Sequence, residues 1–188
     1  MIIFIDCEYQ FLYYMNQYTI NINRFTPKKK YAIGMLVYPG PTEPKWNYLF
    51  GACMISHIMK TEKWYSSYCD IIILTPEITD IDILTIIKKC FDVHATYKKP
   101  LNTKFSFKTN PRWYGVFNKL YFWNKKVFNY EKILILDTDL FILRPSDYIA
   151  VIRDTLGPVA GCYENGYLVK NDDVDVDCFN AVIPNKYT

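Results

Sequence analysis

The chain has 188 residues, 51% of them hydrophobic and 18% aromatic, with a formal net charge of +3. That length suits one domain with a substantial core, and the composition excludes a disordered tail. So small a charge gives no electrostatic case for nucleic acid, and the runs Lys28-Lys29-Lys30 and Lys98-Lys99 read as solvated loops.

The six cysteines, Cys7, Cys53, Cys69, Cys90, Cys162 and Cys178, form no Cys-x-x-Cys and no metal-type spacing. Several lie inside apolar segments, where a thiol acts as a small hydrophobe, so they read as reduced and structural. This favours a cytoplasmic location. The opening "MIIFIDCEYQF" has no basic leader region and no small-residue cleavage site, so it does not read as a signal peptide. No stretch is long and uncharged enough for a membrane span.

In chain order, residues 1–30 are irregular and rich in Tyr and Asn, and they close with "TPKKK". They read as an N-terminal extension, with one strand or helix packed on the main body. "YAIGMLVYPG" is an apolar run ended by Pro39-Gly40, a strand and its exit loop. Across residues 46–59, Trp46, Leu49, Phe50, Cys53 and Met54 recur at helical spacing. "DIIILTPE" is a short continuous apolar run, the pattern of a strand buried on both faces. "TDIDILTIIKKCF" predicts a helix with Thr79 as N-cap and two acids in its first turn. "DVHATY" follows as a strand, and "PRWYGVFNKLYFWNKKVF" as a helix opened by Pro111. "KILIL" is the third buried strand, with "LFILRP", "PVAGCY" and "CFNAVIP" after it. Alternating strands and helices imply an α/β domain with an open, mostly parallel sheet and helices on both faces. No repeat or low-complexity linker divides it.

Asp-x-Asp occurs four times: Asp80/Asp82, Asp137/Asp139, Asp173/Asp175 and Asp175/Asp177. The first pair opens a helix, where carboxylates favour the macrodipole. The two in "NDDVDVDCF" follow no apolar strand and read as a solvated loop or strand edge. Asp137 directly follows "ILIL", and ligands in parallel α/β sheets bind beyond the carboxyl ends of the strands. Two carboxylates there can share a hard cation such as Mn²⁺ or Mg²⁺ with phosphate oxygens. They can equally cap nearby backbone N–H groups at a strand end.

The residues around this pair extend the pattern. "YEKILILDTDLFILRPSDYI" resembles the metal-binding core of the family 8 glycosyltransferases, the glycogenin and galactinol synthase group. "NKLYFW" is similar to that family's Lys-Leu-x-x-Trp helix through Lys119, Leu120 and Trp123, and "YLFGA" to its Tyr-x-x-Gly-Ala helix start through Tyr48, Gly51 and Ala52. "DCFNAVIPN" resembles its Asp-Cys-Phe-Asn-Ser-Gly segment through Asp177, Cys178, Phe179 and Asn180, departing at Ala181-Val182. The four segments occur in family order. The resemblance implies a GT-A, Rossmann-like domain over residues 31–188 and a retaining hexosyl transfer from a UDP-sugar donor, dependent on Mn²⁺ or Mg²⁺, to an unknown protein, glycan or polyol acceptor. It implies that Asp137 and Asp139 bind the metal, Lys119 the donor's phosphate or sugar oxygens, Tyr48 the uracil ring, and Asn180 the donor sugar or acceptor. Trp123 and Leu120 read as core.

Two later family elements, an acidic stretch ending in Asp-Gln and a segment whose His completes the metal site, are not reached before Thr188. The domain is therefore expected to be truncated, with reduced Mn²⁺ affinity. His57 and His94 read as packed or surface residues. One alternative is a catalytically incomplete domain that binds nucleotide or a partner protein without turnover. Another is a haloacid-dehalogenase-type phosphatase, which also carries Asp-x-Asp after an apolar strand. There the motif lies on the first strand and Gly-Thr follows the second Asp, where this chain has Leu140-Phe141.

Overall fold

A computed structural model describes residues 19–38, 46–100 and 115–154. Its sheet contains β1 (Ile20–Arg24), β2 (Tyr31–Leu36), β3 (Cys69–Pro76), β4 (Val93–Tyr97) and β5 (Ile133–Leu136). The helices are α1 (Asn47–Thr61), α2 (Lys63–Tyr68), α3 (Ile81–Cys90) and α4 (Asp147–Asp154), with a 3₁₀ helix over Val116–Trp123. The spatial order of the strands is β1-β4-β3-β2-β5. All neighbours are parallel except β1, which runs antiparallel along β4.

The fold is α/β, with a mostly parallel mixed sheet covered on both faces. Period-two alternation divides the strands between two cores. Ile33, Met35, Ile71, Ile73 and Leu136 face one core, shared with Leu49, Ile55 and Met59 of α1, Ile87 of α3 and Ile152 of α4. Ala32, Leu36, Ile72, Leu74, Val93 and Ala95 face the other, against Tyr121, Phe122, Phe128 and Tyr130. The continuous apolar runs of β2 and β3 follow from burial on both faces. The 3₁₀ helix packs close to the sheet: a Cβ on Gly34 of β2 would stand 2.8 Å from the Phe122 ring.

β1 lies within the segment read as an extension, and it forms one edge of the sheet. A buried charge network anchors it. Asp70 at the start of β3 is fully buried and accepts from Arg24 Nη1, from Tyr130 Oη at 2.6 Å and from the Lys29 backbone N–H at 3.3 Å. Burial and the hydrogen bond to Asp70 push the Tyr130 phenol's pKa up. Nearby, Asp92 accepts from the Ile71 backbone N–H at 2.9 Å and pairs with Lys60 at 3.1 Å.

Two local expectations are corrected. The cap of α3 is Asp80, not Thr79: the Asp80 carboxylate accepts from the Asp82 and Ile83 N–H groups at 2.9 and 3.2 Å. The helix expected around "NKLYFW" is 3₁₀ over Val116–Trp123, and the chain turns after Asn124. Phe117, Leu120 and Trp123 are three residues apart, a spacing that suits both helix types, so periodicity alone does not separate them. Pro111 lies outside the described residues.

Candidate functional site at the end of β5

The chain leaves β2 through α1 and α2 to β3, steps outward through α3 to β4, then returns through the 3₁₀ helix and places β5 on the other side of β2. The connections therefore diverge between β2 and β5. In open parallel sheets such a switch point leaves a crevice beyond the carboxyl ends of the two strands. Met35 of β2 is in register with Leu136 of β5, and Asp137 is the next residue. Sheet topology thus carries the Asp137-Thr138-Asp139 segment to this position.

Thr138 is buried, while Asp137 is half-buried and Asp139 exposed. Several contacts fix the segment. A Cβ on Gly51 of α1 would meet the Thr138 carbonyl oxygen at 2.1 Å, so α1 lies directly against the backbone between the two aspartates. Downstream, Ile142 is buried, and the hydroxyl of the fully buried Tyr65 on α2 donates to the Pro145 carbonyl. The loop is held on both sides of the carboxylates.

From the opposite side, the 3₁₀ helix brings Lys119 to Asp137, and its ammonium donates to Oδ1. The Lys119 side chain is 17% exposed and that of Asp137 41%, so solvent reaches part of the carboxylate. Asp139 has no hydrogen bond or ion pair among the described residues. The 3₁₀ helix starts at Gly115, where a Cβ would meet the Tyr38 ring at 2.3 Å, and Tyr38 stands just past the end of β2. Tyr48 is half-buried against the α1 core and lies three residues before Gly51. That spacing sets both on one face of α1, the face turned to Thr138.

The structure brings together Lys119, Asp137 and the α1 face that carries Gly51 and Tyr48. Asn180 and the aspartates at 173, 175 and 177 lie outside the described residues. His57 is exposed on α1. His94 is buried in β4, its Nε2 2.9 Å from the Thr75 hydroxyl, and burial depresses its pKa to about 4. Among the described residues, no group of three or more His, Cys, Asp or Glu side chains could hold a metal ion. Cys53, Cys69 and Cys90 are free thiols, and burial raises the pKa of Cys53 and of Cys69 to about 12. Such thiols are poor nucleophiles. No helix among the described residues is long and apolar enough to cross a membrane.

Chemically, the arrangement offers two carboxylates, at least partly open to solvent, and one ammonium beyond the carboxyl ends of β2 and β5. The oxygen donors suit a hard divalent cation that keeps waters and takes further ligands from phosphate. The ammonium suits an anionic group beside that cation. Gly51, Gly115 and Tyr38 shape the surroundings, and each acts through a contact between segments distant in sequence. Compared with protein-family models, with curated proteins and with solved structures, the chain matches none.

Proposed function

We propose that the chain binds a UDP-sugar through a divalent cation, Mn²⁺ or Mg²⁺, held by Asp137 and Asp139, and that it forms the donor side of a retaining hexosyltransferase similar to family 8 glycosyltransferases. One observation carries the reading. Three segments far apart in sequence, each of which resembles a motif of that family, meet at one point: Lys119 pairs with Asp137, and Gly51 lies against Thr138. The location at a switch point of a parallel sheet supports it independently.

In this reading the two carboxylates are preorganised by the packed backbone on either side of them. When bound, the cation acts as a Lewis acid that neutralises charge developing on the departing diphosphate. Lys119 adds a positive charge on the same group, an effect made larger by its mostly buried stem. Tyr48 offers an aromatic face to the uracil ring. In a retaining transfer the acceptor hydroxyl arrives on the face from which the diphosphate leaves.

Thermal unfolding of the chain with UDP, with Mn²⁺ and with both tests the proposal. A ligand that binds only the folded state raises the melting temperature. The reading predicts a rise with UDP and Mn²⁺ together that exceeds the sum of the separate effects. No rise with any UDP-sugar in the presence of Mn²⁺ or Mg²⁺ overturns it.

A further inference from the structure

The Lys119 ammonium sits on Oδ1 of Asp137, the carboxylate that the reading above assigns to a divalent cation. The helix that carries Lys119 is fastened to the sheet: Tyr121 and Phe122 are buried, and the Phe122 ring fills the space beside Gly34. The backbone of Lys119 is thereby fixed, and the freedom that remains lies in its four-carbon stem. A change of partner by the ammonium therefore needs only a rotation of that stem and no movement of the helix.

We infer that Lys119 is a resident counter-ion of the donor site: it neutralises Asp137 in the empty site and gives up that carboxylate when a diphosphate offers its ammonium new oxygens. The inference rests on the function proposed above and adds an order of events to it. An ammonium at contact distance from Asp137 repels an incoming dication and occupies one of its two ligands. A diphosphate removes both obstacles, because the ammonium then pairs with phosphate oxygens and the carboxylate is released. Lys119 thereby makes the cation and the nucleotide raise each other's affinity. Such coupling is reciprocal, so each must strengthen the other by the same factor.

The test is the affinity of the full chain for Mn²⁺, read by electron paramagnetic resonance of free Mn²⁺, in the native protein and in Lys119→Met, each with and without UDP. The native chain is expected to bind Mn²⁺ weakly alone and at least about tenfold more tightly with UDP. Lys119→Met is expected to bind Mn²⁺ alone about tenfold more tightly than the native chain, and to lose most of the gain from UDP. Lys119→Gln repeats the comparison with a polar side chain, so a folding defect in one variant does not remove the test. If both variants bind Mn²⁺ alone no better than the native chain, while UDP still strengthens native Mn²⁺ binding, the counter-ion role is wrong and the proposed donor site stands. If UDP and Mn²⁺ fail to bind the native chain together, the donor site falls and the counter-ion role with it.

Discussion

A side chain at Gly51 would begin 2.1 Å from the carbonyl oxygen of Thr138, a residue distant in sequence and flanked by the two candidate metal ligands. The contact is with backbone, which cannot rotate out of the way as a side chain can. It ties the position of α1 to that of the Asp137 and Asp139 carboxylates.

Gly51→Ala should therefore run against helix propensity. In an unconstrained helix the change stabilises by about 1 kcal/mol. Here α1 or the 137–139 loop must shift, and such overpacking costs about 1–3 kcal/mol. The expected result is net destabilisation in urea unfolding together with weaker Mn²⁺-dependent UDP binding. A variant more stable than the native chain with unchanged binding would show that the close approach does not shape the site.

The Asp80 carboxylate caps α3 and has no part in the proposed site. Asp80→Ala is expected to lose about 1 kcal/mol of stability, the usual worth of an N-cap, and to leave UDP binding intact. Equilibrium unfolding and a UDP titration on the same variant separate the two effects.

Arg24 ties β1 to Asp70, a carboxylate with no exposed surface. Removing one partner of a buried pair costs about 3–5 kcal/mol when both are fully buried. Arg24 is 29% exposed, so solvent screening brings the expected loss for Arg24→Met to about 2–3 kcal/mol. The urea midpoint measures it. A loss below about 0.5 kcal/mol would mean that Tyr130 and the Lys29 amide satisfy Asp70 without the guanidinium.

His94 sets a pH dependence. Its folded pKa is depressed by burial to about 4, whereas the unfolded value is near 6.5. The unfolded chain therefore binds a proton that the folded chain refuses. The contribution is fully present above about pH 6.5 and is lost as pH falls towards 4, to a total of about 3 kcal/mol. His94→Gln should flatten the native stability profile between those limits. Parallel slopes for the two proteins over that range would contradict it.

Much of the fold is legible in the amino-acid order because burial on both faces leaves continuous apolar runs. "YAIGML", "DIIIL" and "ILIL" each announce a parallel strand in this way. β1, with the sequence "ININR", carries no such run: it is an edge strand with polar residues on its solvent side. α2 has six residues, too few for a helical period to register. Thr79 and Asp80 are adjacent and both good capping residues, so residue type alone does not choose the cap. At the site, Asp137 stood out by following "ILIL". Its pairing with Lys119 depends on the return of the chain from β4 to β5, and the Gly51 contact on the seating of α1. Neither leaves a local signal.

The central claim is that the Asp137 and Asp139 carboxylates hold a divalent cation against a nucleotide's diphosphate. Calorimetric titration of UDP into the native chain, Asp137→Asn and Asp139→Asn, each with saturating Mn²⁺, tests it most directly. The account predicts metal-dependent UDP binding in the native chain and its loss in both variants. Their melting temperatures should stay close to native, since both side chains reach solvent. UDP binding of native strength in either folded variant would contradict the claim.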